Sequence, residues 1–280
     1  MQDISIIVRT SVRYIFLDRA LQDIKKQTYK DWKIILVNDG GSNEKINAII
    51  EQNQLEPEQY EIIDNTGDLG LNKAINLGTR AVKTEFVVIH DDDDTWDETF
   101  LEETLKYLKQ HKEAMGVVTH TNQVLEKVIG EKIKIEKVKP FNYQLKDVIS
   151  IYDLIKNNLY SPISFVYRAK IYDEIGYYDE SLEVLEDWDF NIRFLMKHDI
   201  YVIEKPLANY HIRKQSDMQA AFKNTVVAKR KLHYKYDTLI RNKYLRYDLE
   251  NGQVGMGVLM NILKWSDNRV IRKLKQYLKR

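Results

Sequence analysis

The stretch Phe86-Val87-Val88-Ile89-His90-Asp91-Asp92-Asp93-Asp94-Thr95-Trp96 decides how this chain folds and where its chemistry sits. Its four leading apolar residues read as a buried strand. Asp97-Glu98 then opens a helical pattern with Leu101, Leu105 and Leu108 on one face. Four consecutive carboxylates therefore stand where a strand ends and the chain turns. Like charges this close repel, so without a cation some of them must hold protons. A hard divalent metal, which takes oxygen ligands, meets that need. An acidic loop that caps the next helix would account for two acids. For four, directly after a buried strand, a metal site is the better account.

The pattern upstream is of the same kind. Ile4-Ser5-Ile6-Ile7-Val8 reads as a strand, followed by the polar turn Arg9-Thr10-Ser11-Val12-Arg13 and a helix with Leu17, Leu21 and Ile24 on one face. Lys33-Ile34-Ile35-Leu36-Val37 is a second buried strand, ending in Asn38-Asp39-Gly40-Gly41-Ser42. A helix over about 44–52, a strand at 60–63, a loop at 65–70 and a helix over 72–82 complete the run. Continuous apolar strands alternating with helices indicate a parallel sheet covered on both faces. Such sheets bind ligands at the carboxyl ends of their strands. Thr10, Arg13, Asp39 and the acid cluster are thus expected to converge. Downstream, a strand at 115–119, a hairpin over 123–136, short helices at 152–158 and 169–175, and extended segments at 161–167, 201–203 and 207–212 are expected. Leu185-Glu186-Asp187-Trp188-Asp189-Phe190 opens a helix reaching about His198. Beyond a boundary near residue 215 the chain is helical, basic and rich in tyrosine.

Composition narrows the classes. The 280 residues are 44% hydrophobic and 30% charged, ordinary for a globular protein with a sizeable core. Lys+Arg 43 against Asp+Glu 42 leaves no global field to attract nucleic acid. The absence of cysteine excludes disulfides, zinc-thiolate sites and thiol nucleophiles. No signal-peptide pattern and no membrane-spanning apolar stretch is present, which leads us to expect a cytoplasmic protein.

A second acid cluster, Glu186-Asp187 with Asp189, begins the 185–198 helix, where the positive end of the helix dipole stabilises carboxylates. Helix capping alone explains it. Paired with the first cluster, it supplies the carboxylate base that a metal-assisted phosphate displacement needs.

Several segments in order carry a family resemblance. They are Ile6-Ile7-Val8-Arg9-Thr10 with Arg13; Ala20-Leu21 with Gln27-Thr28-Tyr29; Val37-Asn38-Asp39-Gly40-Gly41-Ser42; residues 65–70 with Ala74, Asn76 and Gly78; Ile89 to Trp96; and Gly176, Asp179-Glu180, Glu186-Asp187-Trp188 and Arg193. Over about residues 4–215 the chain resembles the family 2 glycosyltransferases. The resemblance implies an α/β GT-A (Rossmann-like) fold with a mostly parallel central sheet flanked by helices, here with a helical C-terminal extension. It implies a nucleotide-sugar half at 1–120, an acceptor half at 121–215 and the extension at 216–280.

The resemblance also implies roles. Asp39 would accept the ring N–H of uracil or thymine, Asp91 would lie near the ribose with Asp92 beside it, and Asp93 would hold Mn2+ or Mg2+ against the diphosphate. Thr10, Arg13 and Lys73 would contact the donor. Asp187 would be the base, supported by Glu186, with inversion at the anomeric carbon. Trp188 would either stack on a sugar or pack in the core. Three features depart from the common pattern: the donor loop has no proline, Gly41 is additional, and Tyr210-His211-Ile212-Arg213 stands where many members carry Tyr-Arg-x-His. A cation near the diphosphate would then come from His211 or Arg213.

The implied donor is a UDP or dTDP sugar, and the acceptor a glycan or lipid-linked glycan, in cell-surface polysaccharide assembly. A nucleotidyltransferase acting on sugar phosphates is the alternative, disfavoured because the first turn has no glycine. A non-catalytic scaffold of a glycan-assembly complex is another, disfavoured because both acid clusters are intact. Val258, Leu259, Ile262, Leu263, Val270, Ile271, Leu274 and Leu278 recur at helical spacing, with basic residues around the last of them. That helix would either lie on an anionic membrane as a peripheral contact at its inner face, or pack on the catalytic domain or on a second subunit of a homo-oligomer.

Overall fold

The computed structural model describes residues 2–65, 71–130, 132–213 and 230–266. Strands β1 (Ile4–Thr10), β2 (Trp32–Asp39), β3 (Tyr60–Asn65) and β4 (Phe86–Asp91) alternate with helices α1 (Tyr14–Lys26), α2 (Asn43–Gln52) and α3 (Leu71–Arg80). The two-residue strand β5 (Thr95–Trp96) and helix α4 (Phe100–Gln110) follow. Next come β6 (Gly116–Ile129), β7 (Lys132–Pro140), α5 (Ile151–Leu154), β8 (Phe165–Arg168), α6 (Ile171–Ile175), α7 (Glu186–Leu195) and β9 (Ile200–Ile212). Two C-terminal helices, α8 (Arg230–Glu250) and α9 (Met256–Ser266), end the described chain.

One sheet runs in the order β3-β2-β1-β4-β8-β6-β9-β5, with β7 paired to β6 outside that path. The first four strands are parallel, as their unbroken apolar runs require. Strand β8 is antiparallel to its neighbours β4 and β6. Alternate residues of β1 feed two core layers. Ile4, Ile6 and Val8 pack with Leu17, Leu21, Ile24, Leu101, Leu105 and Leu108 on one face. Ile7 packs with Ala74, Ile75, Phe190 and Phe194 on the other.

Register places the expected residues along one edge. Thr10 lies opposite Asn38, Arg9 opposite Asp91, and Asp39 opposite Asn65, so the carboxyl ends of β1 to β4 stand side by side. Two glycines permit this. A side chain at Gly41 would run into the Ser11 backbone carbonyl, so the additional glycine lets the turns after β1 and β2 touch. A Cβ at Gly78 would sit 2.6 Å from Ile7 Cγ2 and 3.1 Å from Val37 Cγ2, so glycine sets how closely α3 rides on the sheet.

Three elements differ from the sequence expectation. The segments at 201–203 and 207–212 are one strand, β9, and the strand at 115–119 continues unbroken into the hairpin. Where Pro206 meets His120 the register shifts, so the proline interrupts the ladder without ending the strand. The segment at 161–167 opens with a 3-10 turn, Pro162–Ser164, before β8. The short helix expected at 152–158 closes already at Leu154.

The C-terminal helices dock on the side of the sheet that carries α7. Arg241, 3% exposed, donates to the carbonyls of Ile155 (3.3 Å), Lys156 (3.1 Å) and Met260 (2.7 Å). Lys243 pairs with Asp179 and Asp189, and Tyr236 donates to Glu183. Leu259 and Ile262 of α9 are exposed, whereas Leu263 is buried. The basic stretch expected to reach a membrane lies largely beyond residue 266, outside the described residues.

Gly78→Ala is expected to lower stability by about 1–3 kcal/mol through overpacking against stiff β-branched side chains. Urea unfolding measures it; a stability equal to or above wild type would contradict this packing.

Candidate active site

Asp91 ends β4, and the chain turns through Asp92 to Asp94 into β5. The sequence asks how four carboxylates coexist. Arginines answer much of it. Arg9 holds Asp91 at 2.8 Å. Arg13 spans the cluster, ion-paired to Asp92 and lying 3.2 Å from Asp93. Arg213, just past β9, closes on Asp93. Asp92 also accepts from the Thr10 hydroxyl at 3.0 Å, and Asp94 accepts from the His211 backbone N–H at 2.8 Å.

These contacts separate the four acids. Burial raises Asp92 to about 6, against the pull of Arg13. Burial, with Asp93 and Asp91 nearby, raises Asp94 well above the usual range. Asp93 goes the other way: against burial, Arg13 and Arg213 hold it well below that range. Asp93 is thus the firmly ionised member.

Beneath Asp93 lies a buried polar network not expected from the sequence. Glu126 of β6, with no exposed surface, accepts from Arg19 at 2.7 Å and from Arg213 at 2.6 Å. His211 Nδ1 lies 2.6 Å from the same carboxylate, and His211 Nε2 lies 2.9 Å from Thr95 Oγ1. Burial lowers the His211 pKa, so the ring is neutral. The carboxylate then assigns the proton to Nδ1, and Thr95 donates to Nε2. Arg19 also reaches the Asp93 backbone carbonyl at 2.5 Å. Despite burial, His211 and Arg19 hold Glu126 at about 2. Its position was legible in principle. Val124, Glu126 and Val128 share the inward phase of a strand, and an acid at such a position must have buried partners.

The second acid cluster opens α7. The chain enters through Leu185 at φ +67°, a left-handed conformation that leucine rarely adopts and that clusters at functional turns. Asp187 accepts from Asn158 Nδ2 at 2.7 Å and from the Trp188 N–H at 2.8 Å. Burial raises Asp187 to about 6, and burial plus Asp187 raises Glu186 to about 8. The charge of Asp91 adds to both shifts, so the two clusters lie within electrostatic reach of each other.

The remaining expected residues fall as follows. Asp39 accepts from Asn65 at 2.7 Å, one strand beyond β1. Lys73 is exposed on the first turn of α3. Trp188 is 1% exposed, donates its indole N–H to Leu154 at 2.7 Å and lies under the Arg241 guanidinium. It packs in the core and offers no face for sugar stacking. His211 has both ring nitrogens engaged within the network.

Among the described residues, no group of three or more His, Cys, Asp or Glu side chains could by itself hold a metal. An all-protein cage does not fit. The other mode for a hard cation uses one or two carboxylates, with substrate phosphates and water completing the shell, and Asp93, held ionised by arginines, has the chemistry for it.

Comparison with known proteins gives the class. The glycosyl transferase family 2 model matches residues 5–176, more than half the chain, and the chain belongs to that family. It is a glycosyltransferase. An uncharacterised glycosyltransferase of Methanocaldococcus jannaschii is 26% identical over 231 residues, 80% of this chain and 73% of that protein. YwdF of Bacillus subtilis, also an uncharacterised glycosyltransferase, is 26% identical over 78% of this chain and 77% of its own. Among solved structures, S. aureus TarS in complex with UDP-GlcNAc aligns with TM-score 0.61 and 18% identity, covering 79% of this chain and 62% of that one. The Pyrobaculum calidifontis mannosyltransferase PcManGT, in complex with GDP-Man and Mn2+, aligns with TM-score 0.57 and 13% identity over 98% of this chain and 83% of that one. These structural likenesses show a shared GT-A-type fold.

Glu126→Ala is expected to cost about 3–5 kcal/mol, because it strands buried cations. The Glu126 contribution has a definite pH signature. Its folded pKa of about 2 lies below the ordinary glutamate value of 4.5, so the stabilisation is full above pH 4.5 and is lost as pH falls toward 2. The stability gap between wild type and Glu126→Gln should narrow across that window; a constant gap would contradict the network.

Proposed function

We propose that this protein is a metal-assisted, inverting glycosyltransferase that moves a sugar from a UDP or dTDP donor to a hydroxyl of a glycan acceptor. The observation that supports this reading is the electrostatic reach between Asp91 and the Glu186-Asp187 pair, which brings the acid cluster at the β4 end near a second pair of carboxylates, one buried and one half-buried. The UDP-GlcNAc bound by TarS and the GDP-Man bound by PcManGT support a nucleotide-sugar donor, and of the two only the TarS ligand carries a pyrimidine.

Asp39, at the end of β2, accepts the N–H of the pyrimidine ring. Thr10, at the end of β1, and Arg13, in the turn after it, face the donor phosphates. Asp93, with Asp91 beside it, would hold Mn2+ or Mg2+, whose charge offsets that building on the leaving diphosphate. Arg13 and Arg213 already bracket Asp93 and add to the same electrostatic stabilisation.

Asp187 removes the proton of the acceptor hydroxyl. Each of its oxygens accepts one protein hydrogen bond, which leaves further lone pairs for the acceptor. Those bonds fix the carboxylate, while burial lifts its pKa toward the working pH, where a general base is most effective. Glu186, raised further, holds a proton at neutral pH and so does not compete as a base. The acceptor oxygen, its proton passed to Asp187, attacks the anomeric carbon in line with the departing diphosphate, and this single displacement inverts the configuration.

The acceptor class is a surface glycan or lipid-linked glycan, made on the cytoplasmic side. Among the described residues no helix is long and apolar enough to cross a membrane. The basic C-terminal stretch would supply peripheral contact with an anionic surface.

Asp187→Asn should retain donor binding and lose transfer by about 10²–10⁴-fold; substantial residual transfer would place the base elsewhere. In wild type, kcat/KM should fall as pH drops through about 6, where Asp187 takes up a proton, and a flat profile down to pH 5 would contradict the assignment. Asp39→Ala should weaken nucleotide binding by about 1–3 kcal/mol, read by calorimetry; unchanged affinity would remove Asp39 from the base pocket.

A further inference from the structure

Three polar atoms on one short segment, each shielded from solvent, have no hydrogen-bond partner among the described residues. They are Asn158 Oδ1, the Tyr160 hydroxyl and Ser161 Oγ. The segment leads into the 3-10 turn Pro162–Ser164 and runs beside the α7 N-terminus. Asn158 ties it there, because its Nδ2 donates to Asp187 at 2.7 Å while its Oδ1 is unpaired. Tyr160 is 2% exposed, and its ring packs edge-on against Phe165 with centroids 5.4 Å apart, which fixes the direction of the hydroxyl. Burial raises the pKa of that hydroxyl, and the nearby Asp187 charge raises it further.

Unpaired buried polar atoms are destabilising, and folded proteins keep few of them. Three on four consecutive residues, with one of those residues bonded to Asp187, point to a ligand that completes them. The set is neutral, one amide carbonyl and two hydroxyls. It lacks the cations that a phosphate needs and the carboxylates that a metal needs. It matches hydroxyl groups, which donate and accept in turn.

We propose that Asn158, Tyr160 and Ser161 form a sugar-binding subsite at the Asp187 carboxylate, taking the ring hydroxyls of a neutral saccharide. The subsite builds on the reading of Asp187 as the base, since it would hold a saccharide where that carboxylate acts. The saccharide is either the transferred sugar of the donor or the terminal sugar of the acceptor.

The test uses the full chain with Mn2+ present, as wild type, Tyr160→Phe and Ser161→Ala. Calorimetry compares UDP, dTDP and GDP with a panel of their hexose conjugates. Saturation-transfer NMR follows methyl hexosides added to the UDP-bound protein. Wild type should gain affinity from at least one sugar, and each variant should lose about three- to tenfold of it, as for one neutral hydrogen bond, with nucleotide affinity unchanged. Loss on the hexose conjugates assigns the donor ring; loss on the methyl hexosides assigns the acceptor ring. Because the Tyr160 hydroxyl has no protein partner to lose, Tyr160→Phe should keep or raise the melting temperature of the free protein.

The proposal is overturned if no sugar adds to wild-type binding, if both variants bind sugars as wild type does, or if Tyr160→Phe melts several degrees lower. Asp187→Asn keeps the two ideas apart. If it still transfers sugar while Tyr160→Phe loses sugar binding, the base assignment fails and the subsite stands.

Discussion

The site rests on how a run of like charges is kept together in a buried place. Four adjacent aspartates end β4, and the protein surrounds them with arginines from three other elements: Arg9 from β1, Arg13 from the turn after it, and Arg213 from the end of β9. Glu126 then holds Arg19, His211 and Arg213 from below. A buried charge left unpaired is far costlier than a surface one, so each member of this network fixes the place of the others. The strand ends, the α1 N-terminus and the β6–β9 ladder are thereby tied to one point. The result is that Arg13 and Arg213 hold Asp93 ionised while burial pushes its neighbours Asp92 and Asp94 toward the protonated form.

The opposite wall is assembled by different means. Among the described residues no cation pairs with Asp187; two hydrogen bonds hold it, and burial raises its pKa. The C-terminal helices take part in this wall. Arg241 binds the backbone at residues 155 and 156, close to Asn158, and its guanidinium stacks on Trp188, the residue after Asp187. In the proposed reaction the first wall would stabilise negative charge on a leaving group, and the second would hold a carboxylate whose raised pKa suits proton transfer. This contrast in environments is what acid–base chemistry beside a departing diphosphate requires.

Much of the fold was legible because β1, β2 and β4 are buried on both faces, and such strands show as unbroken apolar runs. The rule that ligands gather at carboxyl ends then puts Thr10, Asp39 and the acid cluster on one edge from sequence alone. The long strands β6 and β9 were read in pieces because His120 and Pro206 break their pattern, and only pairing across the sheet shows the ladder continuing past them. The arginine clamp was less visible, since a surface arginine and one closing on Asp93 from the far end of β9 look alike in sequence. Trp188 was ambiguous for a related reason: an indole suits a sugar face or a core equally, and the Leu154 carbonyl decided for the core. The role of Glu126 depended on three partners 85 to 107 residues away in sequence, and no local pattern could supply them.

The central claim is that Asp93 binds a divalent cation together with the diphosphate of a nucleotide. Titration of wild type and Asp93→Asn with UDP, each with and without Mn2+, tests it most directly. The account predicts that Mn2+ strengthens UDP binding at least tenfold in wild type and that the substitution abolishes this dependence. Equal UDP affinity with and without metal in wild type, or the same metal dependence in both proteins, would contradict it.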